Sequence, residues 1–123
     1  MNWHLYPNFT AEEFNCKHCG ANGMNSTFMH RLQKLRDSYG KPMIITSGYR
    51  CRAHPIELAK TLPGAHTTGQ AADIAVTGQN AHLLLKLALL HGFSGIGVQQ
   101  KGDGRFLHLD TLVESPRPNV WSY

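Results

Sequence analysis

At 123 residues the chain has the size of one domain, and its 41 % apolar content excludes a disordered protein. Lys and Arg number 12 against 8 Asp and Glu, a formal charge of +4 that suits an acidic partner such as a cell-wall polymer or a nucleic acid. The basic residues are scattered, with no run that would serve as a nucleic-acid arm. The longest apolar stretch, Leu83 to Leu90, is broken by Lys86 and is too short to span a bilayer.

The opening residues, MNWHLYPNFT, lack a basic segment followed by an apolar run, so no signal peptide is expected. Thr10 with Glu13 fits a capping box, predicting a short helix that carries Phe14 inward. Cys16 and Cys19 form a Cys-x-x-Cys, half of a zinc knuckle. No second pair follows, since only Cys51 is left, and an odd count argues against a complete disulfide framework. A structural turn or an opportunistic disulfide is the expectation there, with no catalytic role. Asn25 or Ser26 can cap a second helix reaching about Tyr39, with Phe28, Met29, Leu32 and Leu35 as its buried stripe and Gly40 as its stop.

Met43 to Thr46 is rich in branched residues and predicts a short strand. Ser47-Gly48-Tyr49-Arg50 follows, which sets Arg50 at a strand end, a position suited to facing a ligand. Residues 52–62 read as partly helical, with Pro55 in the first turn. His54 has no acid or histidine at a useful spacing and is expected on the surface. After a loop comes the strand Ala71 to Val76. Alternation sends Ala72, Ile74 and Val76 to the core and Ala71, Asp73 and Ala75 to the other face, where Gly69 lets His66 fold back to join Asp73. A leucine-rich helix over about 81–91 should pack on the sheet, with His82 and His91 facing solvent. A glycine-bearing strand is expected over 93–98, then a turn with Asp103 at its tip. The last clear strand is Phe106 to Thr111, with Leu107 and Leu109 inward and His108 and Asp110 together on the opposite face. The tail, 112–123, should wrap the surface with Trp121 as an anchor. This order favours a small α+β domain built on one mostly antiparallel sheet flanked by helices.

Eight histidines in so small a chain prompt a search for a metal site. His66, Asp73 and His108 have the composition of an open zinc site: three nitrogen or oxygen ligands with room for water as the fourth. Such a site can lower the pKa of water from about 15.7 to about 7, and a nearby carboxylate can then take and return the proton.

The set Ser47-Gly48-Tyr49-Arg50, His66-(x)6-Asp73 and His108-x-Asp110 resembles the D-Ala-D-Ala metallopeptidases, which share one zinc fold with lysostaphin-type enzymes and the hedgehog signalling domain. The resemblance runs from Asn8 to Trp121 and is nearest to the short carboxypeptidase-like branch of bacteria and phages. It implies a zinc D,D-carboxypeptidase or endopeptidase acting on peptidoglycan stem peptides. His66, Asp73 and His108 are the implied zinc ligands. Arg50 is the implied partner of a substrate carboxylate or scissile carbonyl. A monomer is expected, made without its own export signal and released to the periplasm or cell wall as a phage-type lysis protein.

Two positions depart from the pattern. Gly64 stands where many relatives have a serine. Phe106 and Arg105 stand where some relatives carry the general base, leaving Asp110 and, on the adjacent turn, Asp103 as candidates. The missing base supports an alternative, a non-catalytic zinc-fold module that binds cell-wall peptide. A nucleic-acid-binding domain lacks both a basic helix and a second cysteine pair.

Overall fold

In the computed structural model, which describes residues 1–123, the chain begins with a 3-10 turn at Trp3–Leu5 and the short helix α1 (Ala11–Phe14). The Glu13 carboxylate accepts the Thr10 amide at 2.7 Å, the return arm of the predicted capping box. Phe14 is fully buried, its ring 5.5 Å from those of both Trp3 and Phe9. Helix α2 (Ser26–Tyr39) starts and stops where its sequence signals lie. Asn25 Oδ1 accepts the Phe28 amide at 2.9 Å, and Gly40 takes a left-handed φ of 68°. Its stripe of Phe28, Met29, Leu32 and Leu35 is buried.

The sheet has five strands: β1 (Ile44–Ser47), β2 (Ala71–Ala75), β3 (Gly95–Gln99), β4 (Phe106–Asp110) and β5 (Asn119–Ser122). Their order is β1-β2-β4-β3-β5, antiparallel throughout except for the parallel β3–β5 pair. Short helix α3 (Pro55–Leu58) lies between β1 and β2, and α4 (Gly78–Leu90) between β2 and β3. Alternation works as predicted: Ala72, Ile74, Val76, Leu107 and Leu109 enter the core with Ile96, packing with Phe28, Leu32, Leu35, Leu84 and Ala88 of α2 and α4. Burying each of these leucines stabilises the layer by roughly 1.5–3 kcal/mol. The architecture is α+β, and no helix is long and apolar enough to cross a membrane.

Four expectations are corrected. The tail does not merely wrap the surface, because residues 119–122 add β5 to the sheet edge. Pro116 and Pro118 obscured it, yet both precede the strand, and proline is tolerated at such an edge. The strand expected from Phe93 begins at Gly95, because the Phe93 amide donates to Ala88 O at 3.1 Å and closes the end of α4. The helical stretch expected over 52–62 is limited to Pro55–Leu58. His91 does not simply face solvent: its Nε2 lies 2.8 Å from Ser38 Oγ, tying the end of α4 to α2.

Candidate metal centre and its pocket

Asp73 on β2 and His108 on β4 are cross-strand partners in register. That pairing brings their side chains together on the face away from the core. His66 arrives from a 3-10 turn, Ala65–Thr68, that Gly69 ends with φ +74°. Gly69 also abuts the Gly23 carbonyl, leaving no space for a Cβ, so both conformation and packing require glycine there. Asp73 Oδ1 sits 3.2 Å from His66 Nε2 and 3.0 Å from His108 Nδ1, and all three residues are buried. One ligand atom from each lies within 4.8 Å of the others.

The outer partners settle which nitrogens face inward. His66 Nδ1 is 2.7 Å from Gly48 O, a carbonyl that only accepts, so Nδ1 carries the proton and the Nε2 lone pair faces Asp73. His108 Nε2 is 2.7 Å from Asp110 Oδ2, which likewise makes Nε2 the donor and turns the Nδ1 lone pair inward. Two lone pairs and a carboxylate converging on one point repel unless a cation or protons lie among them. The donor set fits a divalent metal, with each histidine oriented by a second hydrogen bond. Burial disfavours charge on Asp73, but the adjoining His108 and His66 rings outweigh it and hold its carboxyl well below the usual range. Burial likewise disfavours the His108 imidazolium, while the bonds to Asp110 and Asp73 raise its pKa. A metal binds the neutral ring, so its affinity is pH-dependent.

Asp110 is fully buried and does not line the pocket. Arg117 grips it with two bonds, Nε to Oδ1 at 2.9 Å and Nη2 to Oδ2 at 2.7 Å. Burial alone would push its carboxyl up, but His108 and Arg117 bring it down to about 2. A carboxylate so committed is a poor proton acceptor at neutral pH. Gly95 lies directly across from it, and a Cβ there would collide with the carboxylate. Asp103 is exposed on the β3–β4 turn and is likewise absent from the pocket lining. Neither sequence candidate for the base presents a free carboxylate to the pocket.

The pocket above the three ligands has a volume of about 400 Å³ and is rich in cations. Arg50 lines it, with Nη2 3.6 Å from Asp73 Oδ2 and Nη1 3.3 Å from Glu57 Oε2. Lys60 and Arg117 add two more positive groups, and Phe106, Trp121 and Tyr123 form an aromatic wall. Gly97 makes that wall possible, since a Cβ at 97 would lie 2.7 Å from Trp121 Nε1 and 2.8 Å from Tyr123 Oη. Burial raises the Tyr123 pKa, so its hydroxyl stays protonated and can donate.

Glu57, Lys60, Arg117 and Tyr123 were not singled out from the sequence. Glu57 is buried and accepts from the Gly64 amide at 2.8 Å, from Lys60 at 3.0 Å and from Arg50 at 3.3 Å. Burial would raise its pKa, but these donors lower it. It thus clamps the loop leading to His66 while fixing Arg50. Its only sequence signal is an acid three residues before a lysine, which an ordinary surface pair also has.

Cys16 and Cys19 lie in the expected turn, without a disulfide. All three are free thiols, and the fold carries Cys51 to the Cys16–Cys19 pair, with the sulfurs within 4.8 Å of one another.

No curated protein matches the chain. A family model described as Peptidase M15 matches residues 7–110, a span that holds all three converging ligands as well as Arg50 and Asp110. With most of its length matched, and with the converging His66, Asp73 and His108 inside that span, the chain belongs to the Peptidase M15 family of metal-dependent peptidases.

Proposed function

We propose that the protein is a zinc peptidase that hydrolyses peptidoglycan stem peptides, as a D,D-carboxypeptidase or an endopeptidase. The observation that carries this reading is the convergence of His66 Nε2, Asp73 Oδ1 and His108 Nδ1 beneath a pocket lined by Arg50, Lys60 and Arg117. Two imidazoles and one carboxylate suit zinc and leave it positively charged. Zinc in such a site polarises a carbonyl and lowers the pKa of water from about 15.7 to about 7. Stem peptides end in a carboxylate or carry one beside the scissile bond, and the cationic pocket suits that charge. Arg50, held by Glu57 and Asp73, offers its planar fork to the carboxylate or steadies the carbonyl oxygen as charge develops. Tyr123, kept neutral, supplies a second donor from the aromatic wall. Asp110 positions His108 and takes no proton itself. The chain acts as a monomer on the cell wall, in the manner of a phage-type lysis protein.

One observation favours a second reading. No uncommitted carboxylate faces the pocket to serve as general base, as suits a non-catalytic module that binds cell-wall peptide through the same metal and arginine. Arg50→Lys separates the two. Lysine keeps the charge but loses the bidentate fork. On the enzyme reading the variant stays folded and zinc-loaded while kcat/KM falls about tenfold to a hundredfold, the loss expected for a charge-assisted pair of roughly 1.5–3 kcal/mol. Steady-state kinetics on a muropeptide with zinc content measured in parallel decides it. An unchanged kcat/KM would remove Arg50 from the reaction, and no turnover by the wild-type chain would leave the binding module.

A further inference from the structure

We propose that Cys16, Cys19, Cys51 and His54 form a second, structural zinc site that ties the N-terminal loop to the segment between β1 and α3. The site is independent of the His66–Asp73–His108 centre and of the peptidase reading. Three sulfurs within 4.8 Å of one another need only a small contraction to surround a tetrahedral zinc, where Zn–S bonds of about 2.3 Å place sulfurs about 3.8 Å apart.

The local backbone is shaped for a metal-bound thiolate. Gly20 takes φ +78°, its amide donates to Cys16 O at 2.8 Å, and the Cys16 amide donates to Ala21 O at 2.8 Å. The chain thereby wraps tightly around the Cys16 sulfur. The Cys51 amide, arriving from far along the chain, donates to that sulfur at 3.3 Å. A backbone donor aimed at a buried sulfur compensates negative charge there.

Structural zinc sites are closed with four ligands. His54 stands three residues after Cys51 in the same turn, its amide donating to Cys51 O at 3.1 Å. The pattern is then Cys-x-x-Cys and Cys-x-x-His, two arms of equal spacing from distant parts of the chain. His54 Nδ1 accepts the Ile56 amide at 3.1 Å, so ligation through that nitrogen exchanges the amide for the metal. Thiolate ligands select zinc over the hard cations that oxygen sites hold.

Metal analysis and cobalt substitution of the full chain test this. Wild-type protein should carry about two zinc equivalents, and its cobalt form should show a thiolate-to-cobalt charge-transfer band. Cys19 is exposed, so Cys19→Ser should fold, lose one equivalent to a chelator, lose the band and keep its hydrolytic activity. His108→Ala should also lose one equivalent yet retain the band, because imidazole and carboxylate ligands give none. His54→Ala should keep the band but surrender the metal to chelator several-fold faster, and an unchanged rate would overturn the role of His54. A wild-type chain with one equivalent and no thiolate band, or with a disulfide among the three cysteines when freshly purified, would overturn the site.

Discussion

His108→Ala is expected to abolish hydrolysis and to release the zinc bound with His66 and Asp73, while the sheet stays folded. His108 supplies the Nδ1 that closes the triad, 3.0 Å from Asp73 Oδ1, and no neighbouring side chain can substitute for it. Removing the ring also withdraws the Nε2 donor from the buried Asp110 carboxylate, leaving it with fewer partners for its charge. Activity should fall by well over the 10²–10³ that loss of a single electrostatic donor typically produces, because the electrophile itself leaves with the ligand. Circular dichroism with zinc analysis separates this from unfolding, since Leu107 and Leu109 on the other face of β4 still pack in the core. A folded His108→Ala chain that keeps that zinc and its turnover would exclude the triad as the metal site.

Asp110→Asn is expected to destabilise the protein by about 3–5 kcal/mol, the usual cost of breaking a buried ion pair from one side. Arg117 would lose its charged fork partner, and a single amide oxygen would remain to serve both Arg117 and His108. Metal affinity should fall about 10–100-fold, as when the outer partner of a histidine ligand is removed. The pH dependence carries a sign. The folded Asp110 carboxyl is held at about 2, below an unfolded value near 3.9. Its contribution is therefore complete above the unfolded value and is lost as pH falls toward 2. Wild-type stability should drop by on the order of 2 kcal/mol across that window from this group, and the asparagine variant should lack that part of the acid slope. Denaturant unfolding at neutral and acidic pH checks both. Equal stability of the two proteins at neutral pH would show that the Arg117 pair is not a structural tie.

Local signals carried much of this fold. Asn25 and Gly40 bound α2, and strict alternation in β2 and β4 put Asp73 and His108 on the face opposite Ile74 and Leu107. The convergence of His66, Asp73 and His108 was legible because two of them sit on strands whose core faces are unambiguous. What escaped was long-range. β5 is four residues of modest strand character behind two prolines, and only its parallel pairing with β3 brings Trp121 and Tyr123 over the pocket. Arg117 and Glu57 owe their roles to partners that no spacing rule links to them. Asp110 shares the face of His108 as expected, but the arginine that commits its carboxylate was not legible. The cysteine pair looked incomplete because its partner was sought nearby in sequence, while the turn after β1 delivers Cys51 from far downstream.

The most direct test is to incubate the zinc-loaded protein with purified peptidoglycan stem peptides and determine product masses. The account predicts cleavage at one peptide bond, with the two products together heavier than the substrate by one water, and no cleavage by His108→Ala. Intact stem peptide after incubation with folded, zinc-loaded wild-type protein would contradict it.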